Sequence, residues 1–555
     1  MKTLMKLVFG LLALVLVLIV AAVVILPMVI DPNDYKPQIV EAVKQNTGRD
    51  LTIDGDIGLS VFPKLGLKLG QTQLSNAEGF GKDAFAKVNA VNIRVALMPL
   101  LDKEIKMDEI VLEGLALNLK RNKEGVKNWD DLTAKDKGKE EKPTAAKKEG
   151  APEIKALAIG GMRIQDANIV WEDNKNDQHY AVKNFNLISG PLIPGKPVDI
   201  EMGTDFSGKT PEIQGHTDLS ATVMAGADNT SFTLSDMKLG FSAQGKSLPG
   251  GKTEANLTMK TLMLDLKNQT LSMKDIQTEL AGLSLNAQVE GKQVMGDKAQ
   301  FTGHVDIPAF NAKDLIGQLG QEVPKTADSA ALTRVSALFD FAATPTSVSL
   351  TGLKSGLDDT SIIGKLAVTD FASTAINFDL DIDQIDLDRY MPPESAEAKK
   401  AESTGASADS GKEPELFPVE TLRKLNANGT ARIGQVKKSN VKATNVVIKL
   451  KAKTGQVEVV PSAKLYQGNY NAKVNIDARG NTPKLKVNTT LGGVQIEPLL
   501  KDLQGEAKLA GRTDLNANIT ANGNRQSELK KTLNGKAAFS FSEGALVGVN
   551  IAGNP

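Results

Sequence analysis

The sequence predicts a mainly β chain tethered to a membrane by one N-terminal helix. Three observations carry that expectation: an uncharged apolar run near the N-terminus, period-two alternation through most of the remaining chain, and an unusual balance of residue types. The chain has 49 glycines against 17 phenylalanines, 5 tyrosines and 2 tryptophans in 555 residues. That balance suits many short strands joined by tight turns better than one compact, aromatic-rich core.

The anchor comes first in chain order. From Leu7 to Ile30 there is no charged residue, and at 1.5 Å rise per residue the run reaches roughly 36 Å, against a hydrocarbon core of ~30 Å. A cleavable signal peptide has about 7–15 apolar residues followed by a small-x-small site. Here Ala21 and Ala22 sit inside the run and valines come after them, so retention is expected. Lys2 and Lys6 precede the run, and Asp31 and Asp34 lie just beyond it. The positive-inside bias therefore makes 1–6 a cytoplasmic tip, 7–30 a single-pass transmembrane anchor, and the remainder exported.

That remainder exceeds one ordinary domain by length. Lysine plus arginine equals aspartate plus glutamate, 66 each, so no net basic field exists to attract nucleic acid. There is no cysteine, which excludes disulfides, thiolate nucleophiles and zinc–thiolate sites.

Beyond the anchor, Asp34 is placed to cap a short amphipathic helix over Asp34–Asn46, with Tyr35, Ile39 and Val43 on one face, Pro37 in the first turn and Gly48 closing it. Then the period becomes two. Leu65, Leu67 and Leu69 alternate with Gly66 and Lys68, and Ile93, Val95 and Leu97 with Arg94 and Ala96. In INFDLDID, Ile376, Phe378, Leu380 and Ile382 take one face and Asn377, Asp379, Asp381 and Asp383 the other. Val446, Ile448 and Leu450 against Lys449 and Lys451, and the stretch LNANITANGN from Leu515, repeat the pattern.

Two stretches, 133–152 and 393–415, are too polar and charged to bury a core and are expected to be disordered linkers. They divide the exported part into units at 31–132, 153–392 and 416–555. A helical period returns at Phe310–Leu319 and at Ala327–Leu338.

Catalytic and metal chemistry finds little support. His179, His216 and His304 stand alone, without zinc spacing, and read as surface or turn residues. Asp379, Asp381 and Asp383 match the opening of a calcium loop, but Gln384 and Tyr390 occupy the positions that need glycine and glutamate. These aspartates read as a wet strand face. GKSLPGGKT, from Gly245 to Thr253, has five residues where a phosphate-binding loop has four, and the sequence after it reads as strand. No nucleophile elbow or dinucleotide fingerprint is present. The chain reads as non-enzymatic, with no cofactor and no metal.

A dry face repeated strand after strand must be hidden by a second sheet, by closure, or by something apolar. Ordinary sandwich core and an open apolar groove both satisfy the pattern.

TGRDLTIDGDIGLSVFPKLGLKLGQTQLSNAEGFG (47–81) and VALMPLLDKEIKMDEIVLEGLALNLKRNKEGVKNWDDL (95–132) resemble the N-terminal signature of the AsmA family of Gram-negative envelope proteins. LIGQLGQEVPKTADSAALTRVSAL, IDQIDLDRYMPP, the block beginning FPVETLRKLNANGTARIGQ, and GVQIEPLLKDLQG resemble its later blocks in the same order. LNGKAAFSFSEGALVGVNIAGNP is similar to a block after which family members continue, so the chain is expected to be incomplete at that end.

The resemblance implies an elongated, curved antiparallel β-sheet groove of the bridge-like lipid transfer type, with a few short helices. It implies an inner-membrane, periplasmic protein of outer-membrane biogenesis that carries phospholipid between the two membranes. The rival reading is a non-transporting scaffold or assembly factor affecting outer-membrane protein insertion and lipopolysaccharide levels. Implied partners are membrane phospholipids, the inner membrane, and outer-membrane or assembly proteins. On the groove reading, Leu65, Leu67, Leu69, Ile93, Val95, Ile376, Phe378, Leu380, Ile382, Val446, Ile448 and Leu450 line the apolar face.

Overall fold

The computed structural model describes residues 31–547 apart from 61–63, 97–98, 100–103, 134–155, 194, 229, 394–412 and 414. The expected anchor and nearly all of both linkers lie outside the described residues. Among those described, no helix is long and apolar enough to cross a membrane. Their architecture is mainly β, with 28 strands and a few short helices. Two compact units divide near residues 268–281, within the stretch read as the middle unit.

In the first unit, Asp31 rather than Asp34 caps the entry. Its carboxylate accepts from Asn33 N at 2.8 Å and starts a 3-10 turn over Pro32–Tyr35. Helix α1 (Lys36–Thr47) comes next and ends at Gly48 with φ +73°. The fixed φ of Pro32 suits a tight first turn, which moves the cap three residues upstream. Tyr35 and Ile39 remain exposed. Asn33 clips this entry to the sheet, accepting from Ile57 N at 3.0 Å and donating to Ile57 O at 3.4 Å.

Eight short strands succeed it: β1 (Leu51–Ile53), β2 (Ile57–Ser60), β3 (Lys64–Leu69), β4 (Thr72–Leu74), β5 (Ala86–Val88), β6 (Ala90–Ala96), β7 (Glu104–Glu113) and β8 (Ala116–Arg121). Their pairing makes them four bent strands. β2, β3, β6 and β7 form one half, β1, β4, β5 and β8 the other. Each strand turns a corner at Gly55, Gly70, Asn89 or Gly114. At the first corner the backbones cross so closely that a Cβ on Gly55 would lie 2.6 Å from the Gly70 Cα. Only glycine fits there.

Strand β9 (Ala156–Asp173) runs parallel to both β7 and β8 and joins the two halves. From it an antiparallel meander continues through β10 (Gln178–Ser189), β11 (Val198–Lys209), β12 (Glu212–Ala225), β13 (Ser231–Gln244) and β14 (Lys252–Asp265). Gly245–Thr253, the imperfect phosphate-loop match, is a turn that leads into strand β14. β15 (Thr270–Leu280) divides its residues between the units.

The second unit contains β16 (Leu283–Lys292), β17 (Gln300–Phe310), helix α2 (Ala312–Gln318), β18 (Val335–Thr344), β19 (Ser347–Leu357), β20 (Thr360–Asp370) and β21 (Ala375–Asp386). β22 (Asn426–Lys438) pairs parallel to β21. β23 (Val441–Lys453), β24 (Gln456–Leu465), β25 (Gly468–Asp477), β26 (Lys484–Gln495), β27 (Leu509–Asn522) and β28 (Asn534–Leu546) complete an antiparallel run. Helices α3 (Val419–Lys424), α4 (Ile496–Gln504) and α5 (Gln526–Thr532) flank these strands.

Both polar stretches therefore fall between strands that end up parallel. A parallel pair needs a crossover of about a dozen residues or more, which a two-residue turn cannot supply. The helical reading of Phe310–Leu319 corresponds to α2, whose Asn311 cap accepts from Lys313 N and Asp314 N. The reading of Ala327–Leu338 as helix is corrected. Asp328 accepts from Ala330 N, Leu332 takes φ +65°, and Val335–Leu338 enters the β18 ladder, so tertiary pairing overrides a local period.

Mid-strand residues in the left-handed region recur at breaks in register: Asn184, Asp236, Gly352, Asn445, Gly493 and Glu543. Each is an extra residue that bends its strand, and Asn, Asp and Gly tolerate the conformation best.

Candidate functional site

Register turns local alternation into a continuous surface. In the second unit one row of cross-strand partners reads Val289, Gly303, Phe341, Leu350, Leu366, Phe378, Gly429, Leu450, Val459, Val474, Val487 and Ile519. The neighbouring row passes through Val348, Val368, Ile376, Ala427, Ala452, Val457, Ile476, Leu485 and Ala521. Ile382 meets Ile433, which meets Val446, and Leu380 meets Ala431, which meets Ile448. Strand β22, which carries no candidate from the sequence, thus joins Ile376, Phe378, Leu380 and Ile382 to Val446, Ile448 and Leu450 on one face.

The first unit repeats the arrangement. Leu65 pairs with Val95, and Leu67 with Ile93. One row runs Ile57, Leu69, Val91, Leu112, Ile164, Leu187, Met202, Leu219, Leu239 and Leu257. All twelve candidates thus lie on the apolar face of their own unit. Alternation signals its other members too, Phe206, Leu366 and Val474 among them, but pairing could not be read from it.

This face is not a filled core. The buried apolar residues on it are mostly small, among them Ala243, Ala427, Ala452, Ala472, Ala517 and Ala521. Leu366, Phe378, Leu450, Val474, Val487 and Ile519 keep part of their surface exposed, and Leu65 and Leu67 are 38% and 45% exposed. A sandwich would bury such side chains against a second sheet. Covering the remaining area of one of them, on the order of 30–50 Å², is worth about 1 kcal/mol, so a long row strongly favours an apolar occupant. Local cover comes from α3, where Leu422 and Leu425 pack against Ala427, Ala452 and Val457 at one end of the strands.

Rings on this face lie flat over glycines. Phe378 occupies the place where a Gly429 side chain would stand, with Cγ and Cδ1 both 2.5 Å from an ideal Cβ. Phe206 does the same over Gly215 and Phe341 over Gly303, each pair being direct register partners. Phe206 also stacks on Phe241 with centroids 5.6 Å apart. A recumbent ring keeps its apolar area while adding little height, which leaves the floor shallow. Gly429→Ala is expected to lift the Phe378 ring and cost about 1–3 kcal/mol by overpacking. Hydrogen exchange of β21 and β22 amides would register it, and unchanged protection would refute the ring–glycine fit.

The opposite face is wet. Arg432 bonds Asp379 at 2.7 Å and lies 3.4 Å from Asp381, and Lys437 bonds Asp386 at 2.9 Å. The Arg432 guanidinium holds the Asp379 carboxyl below its ordinary range. These pairs engage Asp379 and Asp381 of the calcium-loop match, while Asp383 accepts from Ser361 N at 2.8 Å. The histidines sit in strands rather than turns, each beside a carboxylate: His216 with Asp205 at 2.7 Å, His304 with Asp340 at 2.8 Å, and His179 3.8 Å from Glu172. Alternation places them there, because period two extends through their strands.

At one rim Arg479 grips Asp477 through Nε at 2.9 Å and Nη2 at 2.6 Å, lowering its carboxyl to about 2. A depressed pKa stabilises the fold above the ordinary value of 3.8, and that contribution is lost as pH falls through about 2. Arg479→Gln should bring the titration midpoint back toward 3.8, measured by carboxyl-carbon NMR. A midpoint unmoved by the substitution would exclude Arg479 as the cause.

Residues that sequence reasoning left out close the far end of the first unit. Arg49, 2% exposed, donates to Asp131 through Nε at 2.8 Å and Nη2 at 2.5 Å, and to Asn128 O at 2.5 Å. Its guanidinium lies 4.6 Å from the Phe85 ring centroid and holds the Asp131 carboxyl below its usual range. Fully buried Asn128 accepts from Lys120 N and donates to Asn76 and Asn118 O, each at 2.8 Å. The GRD and NWDD segments are thus one clasp joining the end of α1 to β8.

Comparison with known proteins gives one family model, the AsmA family, matching residues 1–553. The chain is 22% identical over 314 residues to Protein AsmA of Escherichia coli (strain K12), a match covering 55% of this chain. It spans about half of that relative, 47% of its length. No solved structure matches the chain.

Proposed function

The chain belongs to the AsmA family, and on that premise we propose that it carries phospholipid between the inner and outer membranes along its apolar face. Family membership points to an envelope role, and the finer reading rests on the sheet. On this reading the protein is a non-enzymatic, periplasmic carrier anchored in the inner membrane by residues 7–30, and acyl chains cover the rows while headgroups stay in water.

The carrying observation is the register of the apolar rows. Register need not align apolar residues across a dozen strands, since a one-residue slip would send every side chain of a strand to the wet face. The alignment holds through Gly429, Leu450, Val459, Val474 and Val487 although no second layer among the described residues buries them. An apolar ligand supplies that layer, and flat rings over glycines leave room for it.

The test is lipid extraction and native mass spectrometry of the full chain purified in mild detergent. Co-purifying phospholipid is the expected result. No bound phospholipid, together with unaltered envelope permeability in a deletion strain, would overturn the carrier reading. Photo-crosslinks from Phe378 or Val459 that reach proteins and not lipids would favour the scaffold.

A further inference from the structure

A net charge of zero conceals a sharp segregation within the second unit. From Leu283 to Asp386, strands β16–β21 and their turns hold 7 lysines and arginines against 14 aspartates and glutamates. From Asn426 to Asn522, strands β22–β27 with their turns and α4 hold 15 against 6. The sign changes at the parallel β21–β22 junction, where Arg432 and Lys437 reach back to Asp379 and Asp386.

The basic residues gather on the wet face. Lys449, Lys451 and Lys453 project from β23, Lys473 from β25, and Lys484 and Lys486 from β26, all exposed. Two wet rows cross them: Asn428, Lys451, Glu458, Asn475, Lys486 and Thr520, then Lys453, Gln456, Asp477, Lys484 and Asn522. Lys473 is paired with Glu458 at 2.8 Å, and Arg479 with Asp477. Lys449, Lys451, Lys453, Lys484 and Lys486 have no salt-bridge partner among the described residues.

We infer that this face docks on the phosphate headgroups of an anionic phospholipid membrane. Charge sign excludes a cationic partner. The spacing argues against one tightly held phosphate, because the unpaired lysines stand on β23 and β26, three strand intervals or roughly 14 Å apart, instead of converging on a point. Twelve of the 15 cations are lysine, whose compact, mobile charge suits a diffuse anionic plane, whereas arginine suits fixed bidentate contacts. The surface is separate from the apolar rows, so it stands whether the protein carries lipid or acts as a scaffold.

The full chain, held in phosphatidylcholine nanodiscs, is offered vesicles of pure phosphatidylcholine or vesicles containing phosphatidylglycerol, and co-flotation is measured. Selective tethering to the anionic vesicles, weakened by salt, is expected. The combined variant Lys451→Gln, Lys453→Gln, Lys484→Gln and Lys486→Gln should lose tethering at least about tenfold. The same four positions changed to arginine should retain it, which separates charge from folding. Control substitutions Lys354→Gln and Lys365→Gln on the acidic strands should leave it intact. Equal tethering to neutral vesicles, or an undiminished glutamine variant with native circular dichroism, would overturn the inference. So would a face that retains acidic proteins but not anionic vesicles. Co-purifying lipid is expected unchanged in the glutamine variant, so failure here is distinguishable from failure of the carrier reading.

Discussion

Arg49→Ala is expected to open the N-terminal corner of the first unit and cost about 3 kcal/mol or more, the range for removing one partner of a buried ion pair. The guanidinium is 2% exposed and satisfies the Asp131 carboxylate, Asn128 O and Ser75 O while lying against Phe85. Alanine leaves Asn128 O without this donor in a site water cannot readily fill. Asp131 is 39% exposed and can rehydrate, which keeps the expected cost near the lower figure. Arg49→Lys should recover only part of the loss, because an ammonium cannot span both carboxylate oxygens and the carbonyl. Hydrogen exchange of the α1, β4 and β8 amides is the measurement, with protection falling on the order of a hundredfold. Protection unchanged within a few-fold would mean that the clasp does not hold this corner.

A pair of charges on the apolar face should separate a lipid-covered surface from a protein core. Leu450→Asp with Val474→Asp puts two carboxylates on one row with Val459 between them. If acyl chains cover that row, co-purifying phospholipid should fall at least about tenfold, since burying even one unpaired carboxylate under hydrocarbon costs several kcal/mol. The fold should survive with a loss of about 1–3 kcal/mol, because both side chains already keep part of their surface in solvent. Asn475→Asp, on the wet face, serves as the control and should leave lipid content unchanged. Collapse of the second unit in the double variant would point to a core. Full lipid occupancy in a folded double variant would exclude this row as the lipid track.

Much of the candidate surface is legible in the sequence. The pleat repeats every two residues whatever the strand's neighbours, so Leu65, Leu67 and Leu69, or Ile376, Phe378, Leu380 and Ile382, declare a shared face within their own strand. Capping at Gly48 and the α2 helix after Asn311 are local for the same reason. Arg49, Asn128 and Asp131 all lie within the two N-terminal family blocks, yet their clasp depends on Asp131 returning beside Arg49 across 82 residues. Ala327–Leu338 has a helical period that the β18 ladder overrides.

What the sequence determined by itself is the alternation, and with it the mainly β character and the identity of the dry residues. Tertiary structure alone decided which dry residues meet. It set β22 parallel to β21, which joins the Ile376–Ile382 set to Val446, Ile448 and Leu450, and it laid Phe378 over Gly429. It also gathered lysines from β23 and β26 onto one wet patch that a net charge of zero conceals. The physical reason is one of range. Alternation arises from the geometry of a single pleated strand, whereas register is a relation between strands, specified by contacts that the chain makes only when folded.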